Sequence, residues 1–156
     1  MTDGPYDLAV TRLIDAPRDA VWRAWRDHRA EWWCPRPWTT EVVADDLHPG
    51  GRQAFVMRGP GGEVHDGEGV YLEVIPGEKV VFTDAFRAGW IPQKPFMAGW
   101  FTFADEGGGT RYDAGARHWS EEAMRQHDAM GFADGWGKAA AQLDEVARRI
   151  VAEGGG

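Results

Sequence analysis

Histidine is the residue type in this sequence that most readily suggests metal binding or catalysis. A zinc site usually draws on ligands at short spacing, such as positions i and i+4 of a helix or nearby positions on a strand. The histidines are all further apart than this, at His28, His48, His65, His118 and His127. We therefore expect structural or solvent-exposed histidines and no metal site.

Nucleophilic catalysis also lacks a recognisable motif. Ser120 precedes Glu121 and Glu122, which indicates a helix N-cap with acids in the first turn. No Gly-x-Ser-x-Gly sequence is present. Cys34 is the one cysteine of the sequence, and no histidine or lysine stands beside it, so we expect a packed, unreactive thiol. We assign no catalytic residue and no cofactor.

Four polar side chains could nevertheless contact a ligand inside a cavity. Tyr112 falls on the last predicted strand, and Arg125, His127 and Asp128 fall on the predicted C-terminal helix. They could orient a ligand, or Tyr112, His127 or Asp128 could act as an acid or base. Alternatively, the three helical residues form a solvated first turn.

These helical residues lie on a long C-terminal helix, which we predict from Ser120 to about Glu153. Gly131, Gly135 and Gly137 interrupt it, and each interior glycine costs about 1 kcal/mol relative to alanine. Either the helix bends there, or its first half faces a space that is neither core nor solvent. We favour the second interpretation, a ligand-sized space beneath the glycine-bearing segment.

The second half of that helix has a clear apolar stripe. Its members recur at spacings of four and three residues, which predicts a helix lying on an apolar surface. They are Phe132, Trp136, Ala139, Leu143, Val146 and Ile150.

The preceding part of the chain predicts short strands joined by tight turns. A first strand at Leu8 to Ile14 leads into a helix from about Pro17 to Asp27 and a short helix or turn carrying Trp32 and Trp33. Glycine and proline turns then separate the later strands, and Gly67 and Gly69 predict a bulge or bend in one of them. The later strands are predicted at about 40–46, 52–58, 63–75, 79–86, 97–104 and 110–116, with a loop at 87–95.

Length and charge set the class of protein. The 156 residues suit one domain, with a core at about 8–150 and a disordered tail at 154–156. A net charge of −8 argues against nucleic acid as a partner. No apolar run is long enough to span a membrane, and no signal peptide is visible, so we expect a cytoplasmic protein. The arginine-rich, lysine-poor composition suggests a bacterial source.

A series of short motifs runs along the chain in a characteristic order. These are Ala16-Pro17, Val21-Trp22, Trp32-Trp33, the segment 46–52, the segment 57–60, the segment 81–84 and Gly135-Trp136. Together they resemble the family named for the activator homologue of a heat-shock ATPase, within the START-like (SRPBCC) superfamily. The resemblance implies an α+β helix-grip fold, in which a curved antiparallel sheet of six to seven strands wraps around a long C-terminal helix. Two short helices would follow the first strand, with an apolar cavity between sheet and helix.

The resemblance leaves three functions open. Small members of the family resemble lipid or polyketide binders, so our leading hypothesis is a non-enzymatic protein that binds a small, flat, apolar or aromatic molecule. The second is an enzyme of the cyclase, dehydratase or hydrolase kind acting in the same cavity. The third is a protein-interaction or chaperone-associated stress module with exposed Trp90 and Trp100. Chaperone activation in the family requires a further N-terminal domain, which we do not expect here.

We predict the ligand-binding residues from alternate strand positions and flanking elements. They are Trp25, Trp38, Phe55, Met57, Leu72, Phe82, Phe101, Phe103, Tyr112, Met124, His127, Asp128 and Gly131. Exposed aromatic loops also make a homodimer plausible.

Overall fold

A computed structural model of the protein describes residues 4–155. Nine strands and four α-helices follow one another, and a short π-helical turn at Val151–Gly155 ends the described chain. The strands are β1 (Asp7–Ile14), β2 (Thr39–Asp45), β3 (Arg52–Arg58), β4 (Val64–Ile75), β5 (Lys79–Thr83), β6 (Phe86–Arg87), β7 (Ile91–Pro92), β8 (Ala98–Glu106) and β9 (Gly109–Arg117). The helices are α1 (Arg18–Asp27), α2 (Arg29–Trp32), α3 (Glu121–Ala129) and α4 (Phe132–Ile150).

Seven strands form one antiparallel sheet in the order β1-β9-β8-β5-β4-β3-β2. The helices α1, α2 and α4 cover one face of this sheet, and the core lies between. The predicted α+β helix-grip architecture is confirmed, including the two short helices after the first strand. The predicted loop at 87–95 contains the small β6–β7 hairpin.

The two short helices fill one end of the sheet with aromatic rings. Trp22 and Trp25 stack on each other with ring centroids 5.5 Å apart. Both also meet the ring of Phe103 on β8 edge-on. Pro17, predicted at the first helical position, has an extended backbone and forms the N-cap one residue earlier.

The predicted C-terminal helix from Ser120 to about Glu153 is divided in two, so the chain bends at the glycines, which is the interpretation that we favoured less. Ser120 caps α3 as expected, since its Oγ accepts a hydrogen bond from the Ala123 amide at 3.1 Å. Gly131, however, has φ of +92°, a left-handed conformation that no helix interior allows and that side-chain-bearing residues rarely adopt. The chain therefore turns at Gly131, and the long helix α4 starts after it.

Helix α4 lies on the sheet through its apolar stripe, as predicted. Phe132, Leu143 and Val146 are buried, whereas Trp136 is half-buried. Asp144, also buried, accepts hydrogen bonds from Arg12 on β1 and from Arg148, each at 2.7 Å. The pair with Arg12 joins α4 to the first strand and favours this register, whereas Arg148 lies one turn further along the same helix.

The bulge of β4 lies at Leu72, which corrects the prediction for Gly67 and Gly69. Tyr71 pairs with Phe82, and the pairing with β5 resumes one residue out of step at Glu73. Leu72 is thus an extra residue, and it is displaced to the outer face with 42% exposure. Gly69 instead permits a close approach, since a Cβ there would lie 2.4 Å from the carbonyl oxygen of Thr83.

None of the helices described between residues 4 and 155 is long and apolar enough to cross a membrane.

The C-terminal end of the chain adds little to this architecture. Within the expected tail, Gly154 and Gly155 belong to the π-helical turn, and Gly156 lies outside the described residues.

The glycines at the start of α4 predict opposite effects of the same substitution. Gly131→Ala should lower the free energy of unfolding by about 1 kcal/mol, because alanine is strained at positive φ. Gly137→Ala should raise it by up to about 1 kcal/mol, since alanine favours helix and nothing lies within 4 Å of the added Cβ. Urea unfolding measures both, and equal effects of the two changes would contradict the helix break at Gly131.

Candidate ligand-binding pocket

A pocket of about 270 Å³ opens between α4 and the sheet. Its lining is formed by apolar and aromatic residues, and its polar groups are a thiol, a phenol and the indole N–H groups of the tryptophans. The lining residues are Trp32, Trp33, Cys34, Pro35, Met57, Met97, Phe101, Tyr112, Ala114, Gly135, Trp136 and Ala139. No side chain among them is ionised at neutral pH.

Small residues of α4 leave the space that the pocket occupies. Nothing lies within 4 Å of a Cβ added at Gly135, and Ala139 follows one turn later on the same face. Between them in sequence, Trp136 faces Phe101 of β8 with ring centroids 6.1 Å apart and planes 10° from parallel. The pocket therefore presents flat aromatic surfaces beside a gap in the helix.

Gln142 holds the wall formed by residues 32–35 against α4. Its side-chain nitrogen donates to the carbonyl oxygens of Trp32 at 3.3 Å and Cys34 at 2.9 Å. Its oxygen accepts from the Arg36 amide at 2.8 Å. A buried side chain with three backbone partners fixes this segment, which has no strand or helix of its own after Trp32.

The thiol and the phenol of the lining are both neutral. Burial raises the pKa of the Tyr112 phenol above its usual value, so its hydroxyl remains protonated at physiological pH. Burial likewise raises the pKa of the Cys34 thiol, which disfavours the reactive thiolate. The pocket can thus offer hydrogen bonds without supplying an ionised nucleophile or base from its own lining.

A buried arginine lies directly behind one pocket wall. Arg29 is 2% exposed, and its guanidinium carbon lies 4.0 Å from the ring centre of Trp25 and 4.6 Å from that of Trp33. Its Nη2 donates to the Tyr71 hydroxyl at 2.6 Å, and that hydroxyl donates to Asp45. Burial raises the pKa of Tyr71, which keeps this hydroxyl a donor.

A pair of histidines lies at the junction of β9 and α3. His118 Nδ1 is 2.8 Å from the carbonyl oxygen of Tyr6, which can only accept, so this nitrogen carries the proton. His118 Nε2 then accepts from His127 Nδ1 at 2.9 Å, which leaves a lone pair on His127 Nε2 in the neutral pair. Burial and the neighbouring His118 lower the pKa of His127 to about 4.

The structure brings only part of the predicted site together. Met57, Phe101 and Tyr112 line the pocket, because alternation along β3, β8 and β9 turns them inward. Four others lie in the aromatic core behind it: Trp25, Phe55, Phe82 and Phe103. Gly131 contributes the helix break rather than a pocket wall.

The remaining predicted residues lie away from the pocket lining. Trp38 stacks on His65 beside the β3–β4 turn, with ring centroids 5.6 Å apart. Leu72 is on the outer face because of the bulge, and Met124 is half-buried in α3. Of the helical trio, Arg125 and Asp128 are exposed, as in a solvated turn, whereas His127 is buried against Phe96 and Phe132.

Sequence reasoning missed the pocket residues that do not belong to a regular pattern. Cys34 and Pro35 lie in an irregular segment, and Met97 precedes a strand, so periodicity says nothing about where they point. Arg29 resembles an ordinary surface arginine in sequence. Gly135 did carry a signal, as a glycine within a strongly helical segment.

Trp100 corrects one part of the interaction hypothesis. It is 1% exposed even though alternation along β8 places it on the opposite face of the sheet from Phe101, and its ring lies over Gly115, where an added Cβ would be 2.3 Å away. Trp90, at 58% exposure, remains at the surface on the β6–β7 hairpin.

The curved sheet, the long helix α4 and the intervening pocket define a helix-grip protein of the START-like type. The family model described as "Activator of Hsp90 ATPase homolog 1-like protein" matches residues 15–148, and the chain belongs to this family. No protein of curated function matches the chain.

Solved structures agree with this assignment over nearly the whole chain. Protein NE0264 from Nitrosomonas europaea is 32% identical, with a TM-score of 0.87 over 94% of this chain and 96% of its own. Protein Ms6760 from Mycobacterium smegmatis is 29% identical, with a TM-score of 0.76 over 90% of each chain. An AHSA1-like protein from Aeromonas hydrophila shares the fold, with 22% identity and a TM-score of 0.68 over 95% of this chain and 94% of its own.

Residues 4–155 contain no group of three or more histidine, cysteine or acidic side chains that could hold a metal ion.

The lowered pKa of His127 predicts an acid-sensitive contribution to stability. The ordinary histidine pKa of about 6.5 applies after unfolding, whereas the folded value is about 4. The neutral ring therefore stabilises the fold above about pH 6.5, and this contribution is lost as the pH falls toward 4. We expect the unfolding free energy of the protein to fall, relative to His127→Phe, by about 1–2 kcal/mol between pH 7 and pH 4.5.

The exposed His48 provides the matched control for this measurement. His48→Gln should leave the pH dependence of urea unfolding unchanged. A difference between the protein and His127→Phe that is the same at pH 7 and pH 4.5 would contradict the burial of a neutral His127.

The contacts of Gln142 predict a structural change in the pocket wall. Gln142→Leu should lower the free energy of unfolding by about 2 kcal/mol, because buried backbone groups at Trp32, Cys34 and Arg36 lose their partner. It should also accelerate the reaction of Cys34 with a maleimide. The exposed Gln126→Leu is the control, and unchanged labelling in Gln142→Leu would contradict this role.

Proposed function

We propose that this protein binds a small, flat, apolar or aromatic molecule in the pocket between α4 and the sheet. The observation that carries the proposal is the character of the lining, in which aromatic faces surround a space and no ionised side chain is present. Ligand sites in proteins are mostly apolar with a few polar groups that orient the ligand. Tyr112 and Cys34 would be those groups here.

The dimensions favour a ligand of one or two rings. The 270 Å³ of the pocket lies just below the roughly 300–1,000 Å³ of common ligand sites. The near-parallel rings of Phe101 and Trp136 favour a flat molecule over a branched one, since flat surfaces stack with offset faces. Membership of a family with the helix-grip fold is compatible with this use of the space.

Binding without conversion is favoured over catalysis. Tyr112 is held protonated by burial, and His127 does not line the pocket. Asp128 is exposed to solvent. The three residues that could act as acid or base therefore do not converge on one point of the pocket, as an acid–base mechanism requires.

The exposed Trp90 is the feature that favours the interaction or stress-module hypothesis, with a homodimer as one form of it. Trp90→Ser should leave ligand binding unchanged if the pocket is the functional site. A ligand-dependent change of mass in solution that is lost in this variant would favour the interaction function. Cytoplasmic location remains part of the proposal.

Gly135 provides a direct test of the pocket. N-phenyl-1-naphthylamine, a neutral two-ring probe that fluoresces in apolar surroundings, should bind the protein. Gly135→Leu should weaken this binding by about tenfold or more, because the added isobutyl group occupies space that the ligand needs.

Gly137→Leu is the matched control, since Gly137 lies on the same helix with open space at its Cβ but does not line the pocket. It should leave binding unchanged. Equal effects of the two leucines, or the absence of binding by any flat aromatic probe, would contradict the proposal. Chemical conversion of a bound probe, followed by mass spectrometry and lost in Tyr112→Phe, would favour the enzyme instead.

A further inference from the structure

Arg29 has hydrogen-bonding capacity that the described protein does not satisfy. Its Nη2 bonds to the Tyr71 hydroxyl, but Nε and Nη1 are buried and have no hydrogen-bond partner. A guanidinium group carries five donors and remains charged at every physiological pH. Burying such a group with donors unpaired is costly unless something stabilises the charge.

The nearest protein acid compensates this cation only partly. Asp45 Oδ1 lies 3.9 Å from Arg29 Nη2, beyond hydrogen-bond distance, with the Tyr71 hydroxyl bonded to both groups. The side chain of Asp45 is 17% exposed, whereas that of Arg29 is 2% exposed. Water therefore screens the carboxylate more than the guanidinium, which leaves an excess of positive potential on the interior side.

The pocket borders this interior side at Trp33. Trp33 forms part of the lining, and the Arg29 guanidinium carbon lies 4.6 Å behind the centre of its ring. Burial raises the pKa of Tyr112, and the charge of Arg29 opposes this shift, so the positive potential reaches the hydroxyl of a second lining residue. Since no lining side chain is acidic, nothing in the pocket cancels this potential.

We propose that the pocket selects flat aromatic carboxylates over neutral molecules of the same shape, through the positive charge of Arg29 behind Trp33. This inference rests on the proposed function and specifies its ligand class. The aromatic part of the ligand occupies the apolar space, and the carboxylate lies at the Trp33 and Tyr112 side. The preference is notable in a protein with a net charge of −8, which repels anions in general.

The test compares 2-naphthoate with 2-naphthamide, which share the ring system and differ in charge. Isothermal titration should give at least about tenfold tighter binding of the acid at low salt. Gly135→Leu should weaken the binding of both, since both use the same space. Naphthoate binding that persists in Gly135→Leu would place the acid elsewhere and overturn the inference.

A substitution at Asp45 should strengthen naphthoate binding, whereas the loss of Arg29 should weaken it. Asp45→Asn removes the acid that partly balances Arg29, while the amide oxygen can still accept from Tyr71. Naphthoate should then bind severalfold more tightly, with naphthamide unchanged. Glu41→Gln is the matched control, because Glu41 is an exposed acid on the same strand and its loss changes the net charge equally. Equal gains in the two variants would reflect net charge alone and overturn the assignment to Arg29.

Arg29→Met removes the charge while keeping an unbranched stem between the tryptophans. Naphthoate and naphthamide should bind this variant with similar affinity. If the variant does not fold, the wild-type ratio and the Asp45→Asn result decide the question. Equal affinity of both probes for the wild type would overturn this inference and leave the proposed function intact. Failure of both probes to bind would overturn the two together.

Discussion

The packing of α4 on the curved sheet is the contact on which the rest of this structure depends. The apolar stripe from Phe132 to Ile150 covers the sheet, and the ion pair of Asp144 with Arg12 favours its register. At Gly135, beside the stripe, and at Ala139, within it, the helix carries little or no side chain, and the pocket occupies the space that remains. The same helix thus covers the core along most of its length and leaves a pocket beside Gly135 and Ala139.

Polar groups buried near the pocket influence its electrostatic potential without adding charge to its lining. Arg29 lies behind Trp33 on one side, and the His118–His127 pair lies near the break between α3 and α4. Both depend on aromatic surroundings, which exclude water and strengthen electrostatic interactions. The lining itself remains neutral, so these groups would act on a ligand through their electrostatic field more than through direct contacts.

Regular patterns explain which predictions succeeded. The stripe of α4 and the inward positions Met57, Phe101 and Tyr112 follow from helix and strand periodicity. The prediction that Leu72 faces inward was wrong, because one bulge residue reverses the faces of a strand. No local signal in the sequence places that bulge. The prediction for Trp100 was wrong because it was expected to be exposed beside the 87–95 loop, whereas it is buried within strand β8. The helix break was visible as three glycines, but the sequence did not tell which of them adopts positive φ.

The order of elements and the apolar faces could be predicted from the sequence, because they depend on local preferences and on the periods of helix and strand, and the family could be predicted from the resemblance of the ordered motifs. The burial of Arg29 and the hydrogen bonds of Gln142 to residues 32–36 depend on tertiary packing. So do the contact of His118 with His127 and the position of Cys34, Met97 and Gly135 around one space. These residues lie far apart in sequence or in irregular segments. Their proximity results from how the sheet curves around α4, and that curvature is a property of the packed chain rather than of any segment.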